Sequence, residues 1–140
     1  MVFIKKPSLD QLNKQSQNTM ISHLGITFTE ILNDRLSATM PVDERTKQPM
    51  GLLHGGANVV LAETLGSVAA SLTIDLSKQV CVGLEINANH LKGVKSGLVT
   101  GTTKPIHIGK STQVWEVKIK NSQGTLCCIS RITLAILDKK

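Results

Sequence analysis

The chain has 140 residues, 41% of them hydrophobic, and a formal net charge of +6. That size fits one domain, spanning 1–140, around a single core. No run of about 18 apolar residues suggests a transmembrane helix, and the Lys and Arg residues are scattered, without the basic, aromatic-interleaved stripe of a nucleic-acid binder.

Residues 1–12 (MVFIKKPSLDQL) lack the long apolar stretch and cleavage site of a signal peptide, so a cytoplasmic protein is expected. Cys81, Cys127 and Cys128 have no metal-ligand spacing and are expected to stay reduced; no metal or cofactor is implied. Aromatics are confined to Phe3, Phe28 and Trp115, which leaves the core to Val, Ile, Leu, Ala and Met.

In chain order, 8–18 reads as a short helix capped by Ser8 after Pro7. Residues 21–42 read as two strands with a turn near Asn33-Asp34, followed by a polar connection over 41–49 that contains Gln48. From Gly55 or Gly56 to Leu72 runs the longest helix. Its apolar residues lie nearly all round the axis, the pattern of a helix buried by its own domain. The rest alternates as strands over 80–87, 97–108, 114–120 and 126–137, with a hairpin loop at 121–124. The last strand is apolar on both faces, hence central or covered twice. Glu85, alternating against Leu84 and Ile86, reads as a paired residue of the outer face. Two strands, one buried helix and four antiparallel strands make an α+β fold, a curved sheet wrapped around one helix.

The run 51–70, GLLHGGANVVLAETLGSVAA, is the most telling. Its glycines precede a helix whose first N–H groups have no intrahelical partner and favour developing negative charge. Its one carboxylate, Glu63, sits in an apolar helix without Lys or Arg, a costly placement that calls for a partner or a role. Carboxylate plus anion-stabilising amide is equipment for acyl transfer or hydrolysis. Glu63 and Ser67 stand four residues apart and share a face, with Ser71 about 80° round. Gly55 and Glu63 are eight residues apart, about 12 Å along a helix axis. One carbonyl cannot reach both, so if both act, a second copy of the helix must run antiparallel beside the first, as in a two-fold dimer.

With Gln48 upstream and VGLEINANHLKGVKSG and SRITLAIL downstream, this run resembles the hotdog-fold thioesterases. The likeness is greatest to the bacterial aryl-acyl-CoA group that includes 1,4-dihydroxy-2-naphthoyl-CoA hydrolases and enterobactin proofreading thioesterases. The resemblance implies a six-stranded antiparallel sheet around the helix and a dimer with paired sheets, commonly a dimer of dimers (a homotetramer). It implies hydrolysis of acyl-CoA, with aromatic acyl groups preferred. Glu63 matches the family's catalytic carboxylate, as nucleophile or general base, and the Gly55 amide the donor to the thioester carbonyl. His54 and Gln48 match residues that hold the thioester or the attacking water, and Ser67 a helix residue beside them. Gly83, His90, Leu91, Lys92 and Gly93, with His107, Ile108, Gly109, Lys110, Ser111 and Thr112, fall where the family holds substrate, including the pantetheine arm and nucleotide phosphates. Met50 and Asn58 depart from the common Phe and Ser; neither is expected to touch the chemistry, although Met50 would alter the acyl pocket.

Simpler roles stand beside these: His54 as a local cap, Ser67 bonded back to the helix, Gln48 and the loop lysines merely solvated. Competing functions are a fatty acyl-CoA or acyl-carrier-protein thioesterase and a noncatalytic acyl-CoA-binding dimer.

Overall fold

A computed structural model describes residues 2–140. Helix α1 (Leu9–Gln15) starts at Ser8, whose hydroxyl accepts from the Gln11 N–H while the Gln11 side chain returns a bond to the Ser8 N–H. It ends before Asn18, which takes a left-handed conformation (φ 60°). The strand expected from residue 21 begins later. Met20–His23 forms a one-turn helix, α2, capped by Thr19, and β1 (Thr27–Ile31) follows. A good cap decides so short a segment against the β-leaning Ile21.

β2 (Leu36–Pro41) pairs with β1. Helix α3 (Gly55–Ser71) comes next, then β3 (Gln79–His90), β4 (Leu98–Ile108), β5 (Thr112–Lys120) and β6 (Leu126–Asp138). All six strands form one antiparallel sheet in the order β1-β2-β4-β5-β6-β3. β3 is longer than the alternation over 80–87 suggested because its ladder with β6 runs on to His90 opposite Cys128. β6 lies between β5 and β3, which accounts for its apolar character. Its inner row, Cys128, Ser130, Ile132, Leu134 and Ile136, is buried, while Arg131 and Leu137 of the outer row are exposed.

The sheet curves round α3, and Gly66 is a point of close approach: a Cβ there would come within 2.4 Å of Ile132 Cγ2. Trp115, the largest fully buried side chain, donates through Nε1 to Gln113, whose amide in turn donates to Thr73 after the helix. Phe3 stacks on Trp115 at 6.1 Å, and the Ile4 N–H bonds the Leu72 carbonyl, so the start of the chain is fastened to the end of α3.

Full burial of α3 by its own domain is not achieved. Ala57, Asn58, Leu61, Ala62, Leu65 and Ala69 are buried, but Val59, Val60, Glu63, Ser67 and Val68 stay half-exposed. A single sheet covers one side of a helix, and the described residues supply no second sheet for the other. Glu85 is exposed, and its carboxylate accepts from the Asn87 amide.

Candidate active site

The mouth of α3 is set by the connection before it. The His54 N–H bonds the Thr46 carbonyl at 2.8 Å and the Leu53 N–H the Val94 carbonyl at 2.8 Å, so the helix start is stitched to the loop after β3. His54 is the N-cap: its Nδ1 accepts from the Gly56 N–H at 2.8 Å. A ring nitrogen that accepts carries no proton, so the neutral ring holds its proton on Nε2, and the side chain is exposed. The Gly55 N–H makes no hydrogen bond to the described residues. It is a free donor at the positive end of a 17-residue helix.

Beside that donor is a cleft of about 330 Å³, lined by Gln48, Leu52, Leu53, Gly55, Asn58, His90, Leu91, Lys92 and Gly93. The Leu91 and Lys92 N–H groups both bond the Cys127 carbonyl, which fixes this turn at the end of β3. Gln48 is half-exposed, and its side-chain oxygen accepts from the Met50 N–H. Met50 itself is 80% exposed and is not among the residues lining the cleft. Asn58, expected to be remote from the chemistry, is a lining residue and lies 3.4 Å from His90 Nδ1 through its amide nitrogen. The sequence signal for it is an amide inside an apolar helical run.

Glu63 is elsewhere. Its carboxylate lies over β3 at Gly83, where a Cβ would stand 2.5 Å from Oε1. Burial among apolar neighbours raises its pKa above the ordinary glutamate value, and the Ser67 hydroxyl opposes this by favouring the charged form. Two of the thiols are held protonated: burial pushes Cys81 up, and Cys128 up to about 11, so neither is a thiolate at neutral pH. Among the described residues no group of three or more His, Cys, Asp or Glu side chains could hold a metal ion.

The sheet register separates these two sets. Gly83 stands opposite Leu134 and His90 opposite Cys128, six residues of β6 apart, or about 20 Å. The β4–β5 hairpin belongs to the Gly83 end, since Thr112 stands opposite Ala135 and the Ser111 carbonyl accepts from the Ile136 N–H. Within one chain, therefore, Gln48, His54, Gly55, His90, Leu91, Lys92 and Gly93 gather at one end. Glu63, Ser67, Gly83, His107, Ile108, Gly109, Lys110, Ser111 and Thr112 gather at the other. A larger apolar cavity of about 550 Å³ lies beside the last turn of α3, between Leu12, Ile21, Phe28, Val68, Leu72 and Leu76, with Ser71, Lys5 and Lys6 also lining it.

Residues 50–128 match the thioesterase superfamily model. The chain belongs to that superfamily. It is 52% identical over 137 residues to the 1,4-dihydroxy-2-naphthoyl-CoA hydrolase of Escherichia coli K12, covering 98% of this chain and 100% of that one. Identity to the proofreading thioesterase EntH of Cronobacter sakazakii is 50%, covering 98% and 99% of the two chains. A crystallised mutant thioesterase from Pseudomonas aeruginosa superposes with a TM-score of 0.98 at 47% identity, over 99% of this chain and 100% of that one. The fold is the hotdog fold of these thioesterases, and the superfamily's chemistry is thioester hydrolysis. No helix among the described residues is long and apolar enough to cross a membrane.

Proposed function

We propose that the chain hydrolyses acyl-CoA thioesters, with aromatic acyl groups preferred, at a site completed by two copies of itself. The observation that carries this is the division of the site. A free amide donor and a carboxylate held partly out of water occupy opposite ends of the sheet of one chain, with about 12 Å of helix between them. β3, the 12-residue strand at the end of the sheet, has one unpaired edge. Two-fold pairing of β3 edges would run the α3 helices side by side in opposite directions. The Glu63 end of one chain then meets the Gly55 end of the other, twice per dimer.

At such a site the thioester carbonyl accepts from the Gly55 amide. Glu63 of the other chain either takes a proton from water that adds to the carbonyl carbon or adds to it directly, giving an anhydride that water opens. In both routes charge collects on the carbonyl oxygen; collapse breaks the C–S bond, and CoA leaves as the thiol after taking up a proton. A single amide donor of this kind is worth about 3–4 kcal/mol of barrier. His54 and Gln48 flank the carbonyl or the water. Lys92 and Lys110, with the turns at Gly93 and Gly109, receive the pantetheine arm and phosphates from the two ends. The acyl body follows Ser67 into the apolar cavity, whose Phe28, Leu12 and Leu72 suit a flat ring. The naphthoyl-CoA substrate of the Escherichia coli relative has that shape.

Complementation between two dead variants tests the arrangement. Glu63→Gln removes the carboxylate. Gly55→Pro removes the amide N–H at the first helical position, where the helix backbone tolerates proline, and its Cβ also pushes aside the His90 ring at the same end of the site. Co-expressed in equal amounts, half the dimers are mixed and one of their two sites is intact. Thiol release is then expected to recover to about one quarter of wild type. Inactivity of the mixture as well as of each variant would overturn the shared site. A panel of aromatic and aliphatic CoA thioesters, compared by kcat/KM, tests the acyl preference; an aliphatic optimum would replace it.

A further inference from the structure

Asn58 is a poor residue for its place. It is 5% exposed, one helical turn inside α3, surrounded by Ala57, Leu61 and Ala62. Buried amides cost stability unless hydrogen-bonded. Among the described residues its only side-chain hydrogen bond runs from Nδ2 to His90 Nδ1 at 3.4 Å, and its buried Oδ1 has no partner there. An alanine or serine here would satisfy the helix at lower cost. What the asparagine does is hold a ring. His90 ends β3, and its imidazole lies against the mouth of α3 so closely that a Cβ on Gly55 would stand 2.8 Å from Nε2.

A ring that accepts at Nδ1 carries its proton on Nε2 when neutral. We propose that Asn58 is a positioning residue that fixes the tautomer and plane of His90. It thereby presents the Nε2–H beside the Gly55 amide as a second donor for the thioester carbonyl. The inference rests on the reading of the Gly55 mouth as the place where that carbonyl sits. Two donors on one oxygen share the developing charge, and a preset donor needs no reorientation during the reaction.

Asn58→Asp tests this with nearly the same shape. A carboxylate accepts from Nδ1–H, so the proton of the neutral ring moves to Nδ1 and Nε2 presents a lone pair to the carbonyl. Two measurements are needed. First, nitrogen-15 NMR of the histidines of the wild-type protein at pH 8, with His90→Gln assigning the signal, is expected to show protonated Nε2 and bare Nδ1. Protonated Nδ1 in the wild type overturns the proposal and requires no variant to fold. Second, Asn58→Asp is expected to lower kcat about tenfold, the value of one ordinary hydrogen bond, with KM changed less than about twofold. In a His90→Gln background that loss should disappear, because Asn58 has nothing left to orient. An equal loss in both backgrounds overturns the proposal. Absence of hydrolysis by the wild type, in contrast, would remove the underlying reading of the mouth and is recognised before any variant is compared.

Discussion

Replacing Gly83 with alanine isolates the position of the Glu63 carboxylate from its presence. The backbone at Gly83 is not in the positive-φ region, so an L side chain is accepted without strain. The new Cβ would stand 2.5 Å from Glu63 Oε1 and 3.6 Å from its carboxyl carbon. Restoring ordinary contact of about 3.5 Å requires the carboxylate to move by roughly 1 Å. The moving group is the tip of a flexible side chain, so the fold absorbs the change. Loss of chain freedom in the unfolded state on replacing glycine even adds about 0.4–1 kcal/mol of stability. A 1 Å misplacement of a reacting group costs about 100-fold in rate, or roughly 2.7 kcal/mol of barrier. The expected result is a protein that melts at or above the wild-type temperature and releases thiol about 100-fold more slowly. Turnover within twofold of wild type would refute the assignment of Glu63 as the attacking or proton-accepting group in this pose.

Glu63→Gln should abolish measurable turnover while leaving the melting temperature unchanged or higher, since it relieves a partly buried charge; calorimetry and thiol release check both. Because burial raises the pKa of Glu63, the acid limb of kcat/KM against pH should lie above the ordinary glutamate range. Ser67→Ala, which removes the group favouring the charged form, should move that limb to higher pH. The same raised pKa means the folded state holds this proton more tightly than the unfolded one. Glu63's contribution to stability is therefore full below the unfolded pKa and lost as pH rises through the folded one, a slope that Glu63→Gln should flatten in urea titrations. Gly66→Ala drives a methyl to 2.4 Å from Ile132 Cγ2 in the helix–sheet contact. It should cost about 1–3 kcal/mol, seen as a melting temperature lower by roughly 3–10 °C.

The sequence carries the elements better than it carries their arrangement. Ser8 after Pro7, the alternation of β5 and the apolar length of α3 are local signals, and they survive in the structure because tertiary packing agrees with them. Met20–His23 is a single turn, too short for any period, and only the Thr19 hydroxyl marks it. The apolar circumference of α3 foretells cover on every side, but a pattern cannot say whether that cover comes from the same chain. Strand order is equally silent in alternation: nothing in 79–90 alone makes β3 the end of the sheet. The close approaches of Glu63 to Gly83 and of Asn58 to His90 depend on register across the sheet and on where β3 stops. In the sequence they are a lone glycine among alternating residues and a lone amide among aliphatic ones.

The first few residues of the chain are more than a leading end. With Phe3 clasped by Trp115 and Ile4 tied to Leu72, Lys5 and Lys6 form part of the wall of the large apolar cavity. Purification handles fused there would press on the chamber itself, and the other terminus is no refuge, because Lys139 bonds the carbonyl of Leu76 in the same wall. Changes of one or two amino-terminal residues also offer a way to reshape what the chamber admits without disturbing the helix that carries the carboxylate.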